Sequence, residues 1–550
     1  MANKNLFKSL RLGWKAGEVR PADRVNEAGG RAYANDTRGE LAQYVMTGCL
    51  NGTYYADAGT QLERVLELAT DVDTGFLAKL AVYSRREGHM KDMPALLLAV
   101  VSRRDTEVFR KAAPLVLDSV IMIRNFVQII RSGAIGRKSL GSAPKRVLQD
   151  LLAGMSDEAL FRGSIGKNPS LADVIRLVHP KPQGPVRESL YAHLTGKSVD
   201  MEKLPGLLRE YESFRTAMLG TPVNMDSQLP IPDVPFQMLT SLPLSRSQWR
   251  QIAEKAGWTA TRMNLNTFLR HGVFHDPGGD RVSRMIAERL SDPNLIRKAR
   301  VFPYQLLIAY INADKQIPPI VRNALQDAME TATSNVPQFP GTVVVCPDVS
   351  GSMHTPVTGY RRGSTTSVSC IQVASLLASV ILRQNRNAIM LPFHDRVLDV
   401  ALNPHDSVMT NAQILSGIGP GGTDCSRPLD RLNSRRIKAD LVIYISDNQS
   451  WMQAQGQRGF LSHPTGTMLE WERFRRRNPK ARLVCLDIQP YGTTQAHDRS
   501  DILNIGGFAD SVFSIIDTFA RGNLGSDFWA DTIDRSVTDL ESIADFSAGT

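Results

Sequence analysis

Five oxygen-bearing side chains follow apolar runs in the last third of the sequence. They are Asp348, Ser350, Ser352, Thr423 and Asp447. Two serine hydroxyls and a threonine hydroxyl can ligate a hard divalent cation directly, while two carboxylates supply charge through bound waters. Such a set suits Mg²⁺, which keeps several waters and takes few carboxylates. The sequence therefore predicts a magnesium site here, and binding rather than catalytic turnover.

Alternating strands and helices must position these side chains. Apolar strands are predicted at 342–346, 388–393, 440–446 and 482–488, and helices at 367–385, 426–435, 466–478 and 511–521. This alternation is typical of a doubly wound α/β sheet, in which ligands bind beyond the carboxyl ends of the strands. The two aspartates and two serines fall just past predicted strand ends. The alternative is a cation that only stiffens three loops.

Composition limits the class of protein. At 550 residues the chain can hold about two to four domains. Residues 1–17 are polar and basic, which predicts no signal peptide, and the apolar runs are too short to span a bilayer. The five cysteines are scattered and form no Cys-x-x-Cys pair, so we expect a reduced, cytoplasmic protein without a zinc site.

Positive charge is concentrated in the first part of the chain. Residues 1–340 carry 45 Lys and Arg against 34 Asp and Glu, whereas residues 341–550 carry 20 against 21. Residues 101–150 are the most basic segment, with 10 basic and 4 acidic side chains. A regional excess of this kind indicates a polyanionic partner such as nucleic acid. Solvated helix faces are the alternative.

The first part of the chain is predicted to be helical, with Pro and Gly breaks. Helices are predicted at 61–69, 73–86, 94–103, 115–131, 143–153 and 171–179. Helices of this kind can stack as an α-solenoid, in which neighbours bury each other's faces. The segment 222–243 is predicted to be extended, and the break at 334–340 marks a boundary between domains 1–338 and 339–550.

A basic helix start is predicted near residue 142. Ser142 is expected to be the N-cap, with Pro144 in the first turn. Lys145 and Arg146 then stand at the positive end of the helix dipole, which is unfavourable unless an anion binds there. Arg137 and Lys138 lie just upstream and extend the same patch. We therefore expect phosphate contact at these four residues, the alternative being a solvated loop.

A second basic segment is predicted to follow a capping box. Ser170 and Asp173 form the capping-box pattern of a helix that ends at His179. Arg176 and His179 are three residues apart and so share a helix face, with Lys181 just beyond. These three residues are expected to bind RNA. Alternatively, His179 is structural and hydrogen-bonds the next repeat.

A basic turn is a third candidate for RNA contact. Its residues are Arg85, Arg86, His89 and Lys91. A solvated turn is the alternative interpretation. Aromatic residues are 7% of the chain, so stacking of bases on an aromatic sheet is not expected, and phosphate contacts should dominate.

Two regions of the sequence resemble modules of one known family. On the five metal-site residues, the C-terminal third resembles a von Willebrand factor A domain with an intact metal-ion-dependent adhesion site. The N-terminal region resembles the TROVE module of the Ro autoantigen family. That likeness rests on segments 83–91, 136–146, 173–182 and 262–272. Together the two modules span nearly the whole chain, and in this order they resemble a bacterial Ro protein.

The resemblance implies a monomeric ring of HEAT-like helical repeats, closed by the A domain. It implies binding of small noncoding Y-type RNA on the ring's outer basic surface, and passage of single-stranded ends of misfolded RNA into a central hole. The turn of Arg85, Arg86 and Lys91 could line that interior. An exoribonuclease, polynucleotide phosphorylase, can be tethered through the Y-type RNA in bacterial members.

The sequence departs from the animal members of the family at two places. Leu171 stands where they have a histidine, and Leu151 and Leu152 stand where they have a tryptophan and a tyrosine. RNA contacts at these points are not expected to be the same. The choice of RNA partner can therefore differ.

We expect a non-enzymatic RNA-binding protein that acts in RNA quality control or processing. No P-loop, nucleophile elbow or paired general acid and base is present in the sequence. One alternative is a metal-dependent protein-interaction scaffold that uses the A domain, with RNA binding incidental to the basic charge. A nuclease is a second alternative. The four His-Asp dipeptides do not favour it, because a metal phosphohydrolase needs further ligands at fixed spacing.

Overall fold

The structure of the protein is a computed structural model. It describes residues 19–537 except 48–56, 221–228, 276–277, 300, 302, 334–335, 358–367, 452–462, 490, 509–510 and 523–527. The described residues form two compact units. The helical unit holds residues from 62 to 333 together with 531–537, and the α/β unit holds residues up to 61 together with those from 336 to 530.

The chain begins with two short strands, β1 (Arg24–Val25) and β2 (Arg31–Ala34), and a helix, α1 (Thr37–Thr47). The helices that follow are α2 (Ala58–Asp71), α3 (Thr74–Arg86), α4 (Asp92–Arg104), α5 (Thr106–Val116), α6 (Val120–Ser132), α7 (Ser142–Gly154), α8 (Asp157–Gly163), α9 (Leu171–Val178) and α10 (Pro185–Leu194). Further helices are α11 (Gly206–Gly220), α12 (Arg246–Lys255), α13 (Trp258–Met263), α14 (Leu265–Arg270), α15 (Gly279–Ser291), α16 (Pro293–Ala299), α17 (Pro303–Ile311) and α18 (Pro319–Thr333).

The helical unit is built from stacked helices, as the sequence predicts. From α3 to α10, each helix contacts the helix two places further along the chain, so that layers of helices lie on one another. This is the contact pattern of HEAT-like repeats, in which each repeat covers the apolar face of its neighbour. Leu77, Leu97, Phe109 and Phe126, on four successive helices, are all fully buried.

Two helix predictions in this unit were wrong in detail. The predicted helix 115–131 is two helices, because Leu117 leaves the helical region (ψ 49°) and Ser119 caps α6 by accepting the amide hydrogen of Met122. The predicted N-cap Ser142 is the first residue of α7. Gly141 is the N-cap, with φ +78°, and no side chain caps this helix. A left-handed glycine can turn the chain into the helix one residue earlier.

The α/β unit contains the remaining elements. They are β3 (Val343–Pro347), α19 (Cys370–Gln384), β4 (Ile389–Met390), α20 (Val408–Ser416), α21 (Arg427–Ser434), β5 (Leu441–Ser446), α22 (Gly466–Arg477), β6 (Arg482–Asp487), β7 (Thr493–Thr494), β8 (Ile502–Gly506) and α23 (Ser511–Ala520). Helix α24 (Phe528–Ser536) follows. The five-stranded sheet has the order β4-β3-β5-β6-β8 and is parallel throughout.

Both faces of this sheet are covered, which confirms the doubly wound prediction. Helix α19 contacts β3 and β5. Alternate strand residues such as Cys346 and Tyr444 pack in a common core with Leu429 of α21 and Trp471 of α22. Because side chains alternate along a strand, a strand buried on both faces is apolar throughout, and every residue of β3 and β5 is buried.

The N-terminal segment packs with the α/β unit. Strand β2 pairs antiparallel with β7, with Tyr33 opposite Thr494. Tyr33 is fully buried in the sheet core, and helix α1 contacts β8. The predicted boundary at 338/339 lies close to the division at residues 335/336, but it assigns residues 19–61 to the helical domain.

Among the described helices, none combines the length and the apolar character needed to cross a membrane.

Candidate metal centre and candidate nucleic-acid interface

The first loop of the candidate metal centre follows β3. Asp348, Ser350 and Ser352 are all buried there. The Asp348 carboxylate accepts the Ser446 hydroxyl at 2.6 Å and the Ser350 amide hydrogen at 2.8 Å. The two serine hydroxyl oxygens, of Ser350 and Ser352, lie 3.4 Å apart. This arrangement places two potential hydroxyl ligands beside a carboxylate whose orientation is fixed.

The second loop carries Thr423, which is 2% exposed. The Gly351 amide donates to the Gly421 carbonyl at 3.0 Å, which joins this loop to the first one. The Thr423 carbonyl accepts the Trp451 amide at 3.1 Å, which joins it to the loop after β5. A Cβ on Gly421 would stand 2.6 Å from the His394 ring, so a glycine is required there.

The third loop places Asp447 at the end of β5. Its Oδ1 accepts the Gln449 amide hydrogen at 3.2 Å, whereas its buried Oδ2 has no hydrogen-bond partner among the described residues. Burial, and then the charge of Asp348, raise the pKa of Asp447 to about 7, although the Ser352 hydroxyl lowers it. Burial also raises the pKa of Asp348. The structure thus places two carboxyl groups close together in a buried site, where ionisation of both is unfavourable.

These residues fit a divalent cation. A buried carboxylate oxygen without a partner is costly, and a cation nearby would compensate it. The donors are hydroxyls and carboxylates, which are the ligands that Mg²⁺ takes. Within the described ranges no cluster of three or more His, Cys, Asp or Glu side chains suited to a metal is present. A Mg²⁺ site here would therefore depend on Ser350, Ser352 and Thr423 as well as on the two aspartates.

The N-terminal segment holds the loop that carries Asp447. The Asn26 amide group donates to the Ser450 carbonyl at 2.9 Å, and the Gln449 amide group donates to the Glu27 carboxylate at 2.9 Å. A Cβ on Gly30 would stand 1.8 Å from the Ser450 carbonyl oxygen. The β1–β2 hairpin therefore lies in close contact with this loop.

Comparisons with known proteins show which proteins the chain is similar to. The family model described as the Ro60 vWA domain matches residues 342–520. The chain is 24% identical over 530 residues to the RNA-binding protein RO60 of Deinococcus radiodurans, covering 91% of this chain and 95% of that protein. Residues 342–520 are therefore similar to the vWA domain of Ro60, and the chain as a whole is similar to a Ro protein.

Two further comparisons point to the same group of proteins. The chain is 24% identical over 251 residues to the RNA-binding protein RO60 of Caenorhabditis elegans, covering 44% of this chain and 37% of that protein. The crystal structure of the Deinococcus radiodurans RO (RSR) protein matches with a TM-score of 0.60 and 21% identity, over 89% of this chain and all of that chain. The latter match supports the fold.

Two of the predicted RNA-binding segments lie side by side. The Gln149 side chain of α7 donates to the carbonyls of Val178 and His179 at the end of α9, at 2.6 and 3.3 Å. Lys145 is one helical turn before Gln149 on the same face of α7. His179 is exposed with φ +51°, and Lys181 is also exposed. Helix packing thus brings α7, which carries Lys145, into contact with the end of α9.

The capping box is confirmed, but the prediction that Arg176 and His179 share a helix face was wrong, because α9 ends at Val178 and His179 is a left-handed C-cap. Ser170 and Asp173 form the reciprocal capping box of α9. The exposed Arg176 donates to the Thr195 carbonyl at 2.6 Å, and a guanidinium nitrogen lies 3.6 Å from the Asp173 carboxylate. The contact between α7 and His179 is made by the main-chain carbonyl of His179, which accepts from the Gln149 side chain.

Arg137 and Lys138 precede α7. Arg137 is half-buried and donates to the Ser102 hydroxyl of α4 at 2.6 Å, while Lys138 is exposed. Burial, and then the charge of Arg103, lower the pKa of Arg137. These contacts place Arg137 between the end of α4 and the start of α7, where Arg146 is exposed. We call the seven residues of this region the basic group: Arg137, Lys138, Lys145, Arg146, Arg176, His179 and Lys181.

The remaining three candidates lie at the opposite end of α4. Arg85 is held by a two-pronged ion pair with Asp118, both N–O distances being 2.9 Å, and by the Met90 carbonyl. Arg86 and Lys91 are exposed. A 13-residue helix is about 18 Å long, so these residues are well separated from Arg137. Arg85 therefore connects helices, whereas Arg86 and Lys91 remain accessible.

The departures from animal sequences lie mainly in the core. Leu152 and Leu171 are buried and Leu151 is half-buried. Sequence reasoning did not find Ser446, His394 or the β1–β2 hairpin as parts of the metal centre. Ser446 contacts Asp348 across 98 residues, and no local pattern indicates such a pair.

Proposed function

We propose that this protein is a member of the Ro family and a non-enzymatic RNA-binding protein that acts in RNA quality control, processing or degradation. Its basic outer surface binds small noncoding Y-type RNA. Single-stranded 3′ ends of misfolded RNAs enter the central hole of a monomeric ring. The RNAs are handled together with an exoribonuclease such as polynucleotide phosphorylase, in the cytoplasm and without a membrane partner.

The observation that carries the proposal is the nearly full-length similarity to a relative named an RNA-binding protein. The local geometry supports it. The basic group joins two helix termini and a loop, and α7 has no side-chain cap, which leaves its first amides available to an anion. Phosphate binding there would also relieve the unfavourable placement of Lys145 and Arg146 near a helix N-terminus.

The identity of the RNA can be tested in the native cells. Ultraviolet crosslinking followed by sequencing is expected to recover one or two abundant small structured RNAs and a set of RNAs with unpaired 3′ ends. Recovery no better than in an uncrosslinked sample would contradict the proposal. It would favour the alternative, a metal-dependent protein-interaction scaffold.

The role of the basic group can be tested with purified full-length protein. The double charge reversal Lys145→Glu and Arg146→Glu should weaken binding to the recovered RNA by at least about tenfold, because two phosphate contacts become repulsive. A matched control is Lys438→Glu with Lys480→Glu, two exposed lysines of the α/β unit. Equal losses in both variants would mean that net charge alone controls binding.

We further propose that Asp348, Ser350, Ser352, Thr423 and Asp447 hold Mg²⁺. A hard cation bound in such a set can also accept an acidic side chain from a partner protein. Purified protein with Mg²⁺ should leave the recovered RNA intact, as a non-enzymatic role requires. Cleavage that disappears on chelation would instead indicate a nuclease.

A further inference from the structure

A pocket of about 420 Å³ lies on the helical unit, beside the basic group. It is formed by α2, by the last turns of α4 and by the loop between α6 and α7. One wall is apolar and consists of Leu66, Val100 and Ile135. The other wall carries Arg103 and Arg104. Its volume is within the range of small-ligand sites and admits one nucleotide.

The two arginines are held in place by neutral groups. Arg103 donates to the Ile135 carbonyl, and Arg104 donates to the Val72 carbonyl at 3.0 Å. A Cβ on Gly136 would stand 2.6 Å from the Arg103 guanidinium, so the loop approaches closely only with glycine there. These contacts fix both guanidinium groups while leaving N–H donors of each for a ligand.

The positive charge at the pocket is not neutralised by the protein. In the described residues, the hydrogen-bond partners of Arg103, Arg104 and Arg137 are neutral carbonyl or hydroxyl oxygens. Arg137 is near enough to Arg103 to interact with it electrostatically. Arginines in the last turn of a helix interact favourably with the helix dipole. That interaction explains why Arg103 and Arg104 stand at the end of α4, but it does not explain why they line a pocket with an apolar wall.

We propose that this pocket binds one unpaired nucleotide of the bound RNA. The proposal rests on the RNA-binding function proposed above. The phosphate lies between Arg103 and Arg104, because guanidinium groups match phosphate geometry. The base lies against Leu66, Val100 and Ile135. A base within a duplex is stacked on both faces and cannot enter, so the ligand is a bulged, looped or terminal nucleotide.

The position of the pocket links it to the rest of the RNA surface. Ile135 and Gly136 of its wall directly precede Arg137 and Lys138 of the basic group. A strand whose phosphates contact that group would thus pass the mouth of the pocket. The apolar wall offers no side-chain hydrogen-bond group to a base edge. We therefore expect little preference among the four bases.

The test compares two synthetic RNA hairpins that differ only in one bulged 2-aminopurine nucleotide. Full-length protein should bind the bulged hairpin about tenfold more tightly than the fully paired one. The fluorescence of the bulged 2-aminopurine should change on binding. Thr70→Trp, at an exposed position on the rim, should fill the pocket and abolish this preference. Binding of the paired hairpin should remain. Thr216→Trp, the same substitution on the exposed surface of α11, is the control.

Each outcome separates the two proposals. If wild-type protein binds neither hairpin, the RNA-binding function fails, and the pocket proposal fails with it. If it binds both hairpins equally, or if Thr70→Trp weakens both equally, only the pocket proposal is overturned. Arg103→Lys with Arg104→Lys keeps the charge but removes the forked donors. This variant should lose the preference for the bulged hairpin, and retention of the preference would exclude guanidinium recognition.

Discussion

Three buried carboxylates at the same end of the sheet have different surroundings. Asp424 accepts the amide and hydroxyl hydrogens of Ser426 and pairs with Arg427 at 2.9 Å. Asp348 accepts two hydrogen bonds, but Asp447 retains an oxygen without a partner among the described residues. Unbalanced buried charge marks a site prepared for a ligand rather than for stability.

Asp447→Asn should remove the stabilisation that Mg²⁺ gives while stabilising the metal-free protein. In wild type without Mg²⁺, the buried Asp447 carboxylate is ionised at pH 8 and lacks a compensating partner, whereas the asparagine amide is neutral. The free energy of unfolding without Mg²⁺ should therefore rise by about 1–3 kcal/mol at pH 8. Thermal unfolding with and without Mg²⁺ measures both effects. Asp424→Asn, the control, should lower stability in both conditions and keep the Mg²⁺ shift. A metal-free Asp447→Asn protein less stable than wild type would contradict the interpretation.

The raised pKa of Asp447 predicts that Mg²⁺ affinity depends on pH. Its folded pKa of about 7 exceeds the usual 3.8, so stability of the metal-free protein should fall as pH rises between these values. Mg²⁺ requires the ionised carboxylate and must displace a proton below pH 7. Its affinity should therefore rise by up to about tenfold per pH unit up to pH 7 and then level off. Calorimetry in buffers of different ionisation enthalpy measures the released proton. A flat profile in wild type would exclude this linkage.

The clustering of the candidate metal ligands was predictable from the sequence, whereas the contacts that support them were not. Asp348, Ser350, Ser352 and Asp447 each follow the end of an apolar run, and parallel strands bring such ends together. The hydroxyl that orients Asp348 belongs to Ser446, whose side chain is indistinguishable in sequence from any other serine in a strand. Long-range pairs of this kind arise only when the strands are placed in register.

At the scale of elements, long and periodic segments were predicted best. The stacked helices and the strands β3, β5 and β6 were confirmed within a few residues. The two-residue strand β1 and the four-residue β2 are too short to show alternation. The partner of β2 is β7, more than 450 residues away, so local patterns could not indicate that the N-terminal segment packs with the α/β unit.

The β1–β2 hairpin should influence Mg²⁺ binding without contacting the cation. Gly30→Ala would place a methyl group against the Ser450 carbonyl, displacing the loop that carries Asp447. We expect weaker Mg²⁺ binding and a loss of stability of about 1–3 kcal/mol, as for other overpacked sites. Calorimetric titration and thermal unfolding of the full chain provide the measurements.

A neighbouring glycine supplies the control for this experiment. Gly29 has φ +85° and open space around it, and asparagine tolerates that conformation. Gly29→Asn should therefore leave Mg²⁺ affinity unchanged. If Gly30→Ala lowers stability yet binds Mg²⁺ as well as wild type, the hairpin supports the fold without positioning the site.

At the scale of the whole molecule, the basic part of the sequence ends close to the point where the helical unit gives way to the α/β unit. The basic excess lies within residues 1–340, and most of that part forms the helical unit. Composition therefore indicates that the helical unit is the part to test for polyanion binding. It could not predict that α7 contacts the end of α9 while Arg85 pairs with Asp118, because helix packing decides which side chains meet.

This distribution predicts a steep dependence of RNA binding on salt. If about five phosphates are contacted, affinity should fall by a hundredfold or more between 50 and 200 mM salt, because each contact releases condensed counterions. Lys145→Glu with Arg146→Glu should reduce the slope of log Kd against log salt by about 2. Lys438→Glu with Lys480→Glu should leave the slope unchanged, since these lysines lie in the neutral part of the chain. A slope near zero in wild type would mean that RNA is not held by its phosphates, and the same slope in all three proteins would place the contacts outside the basic group.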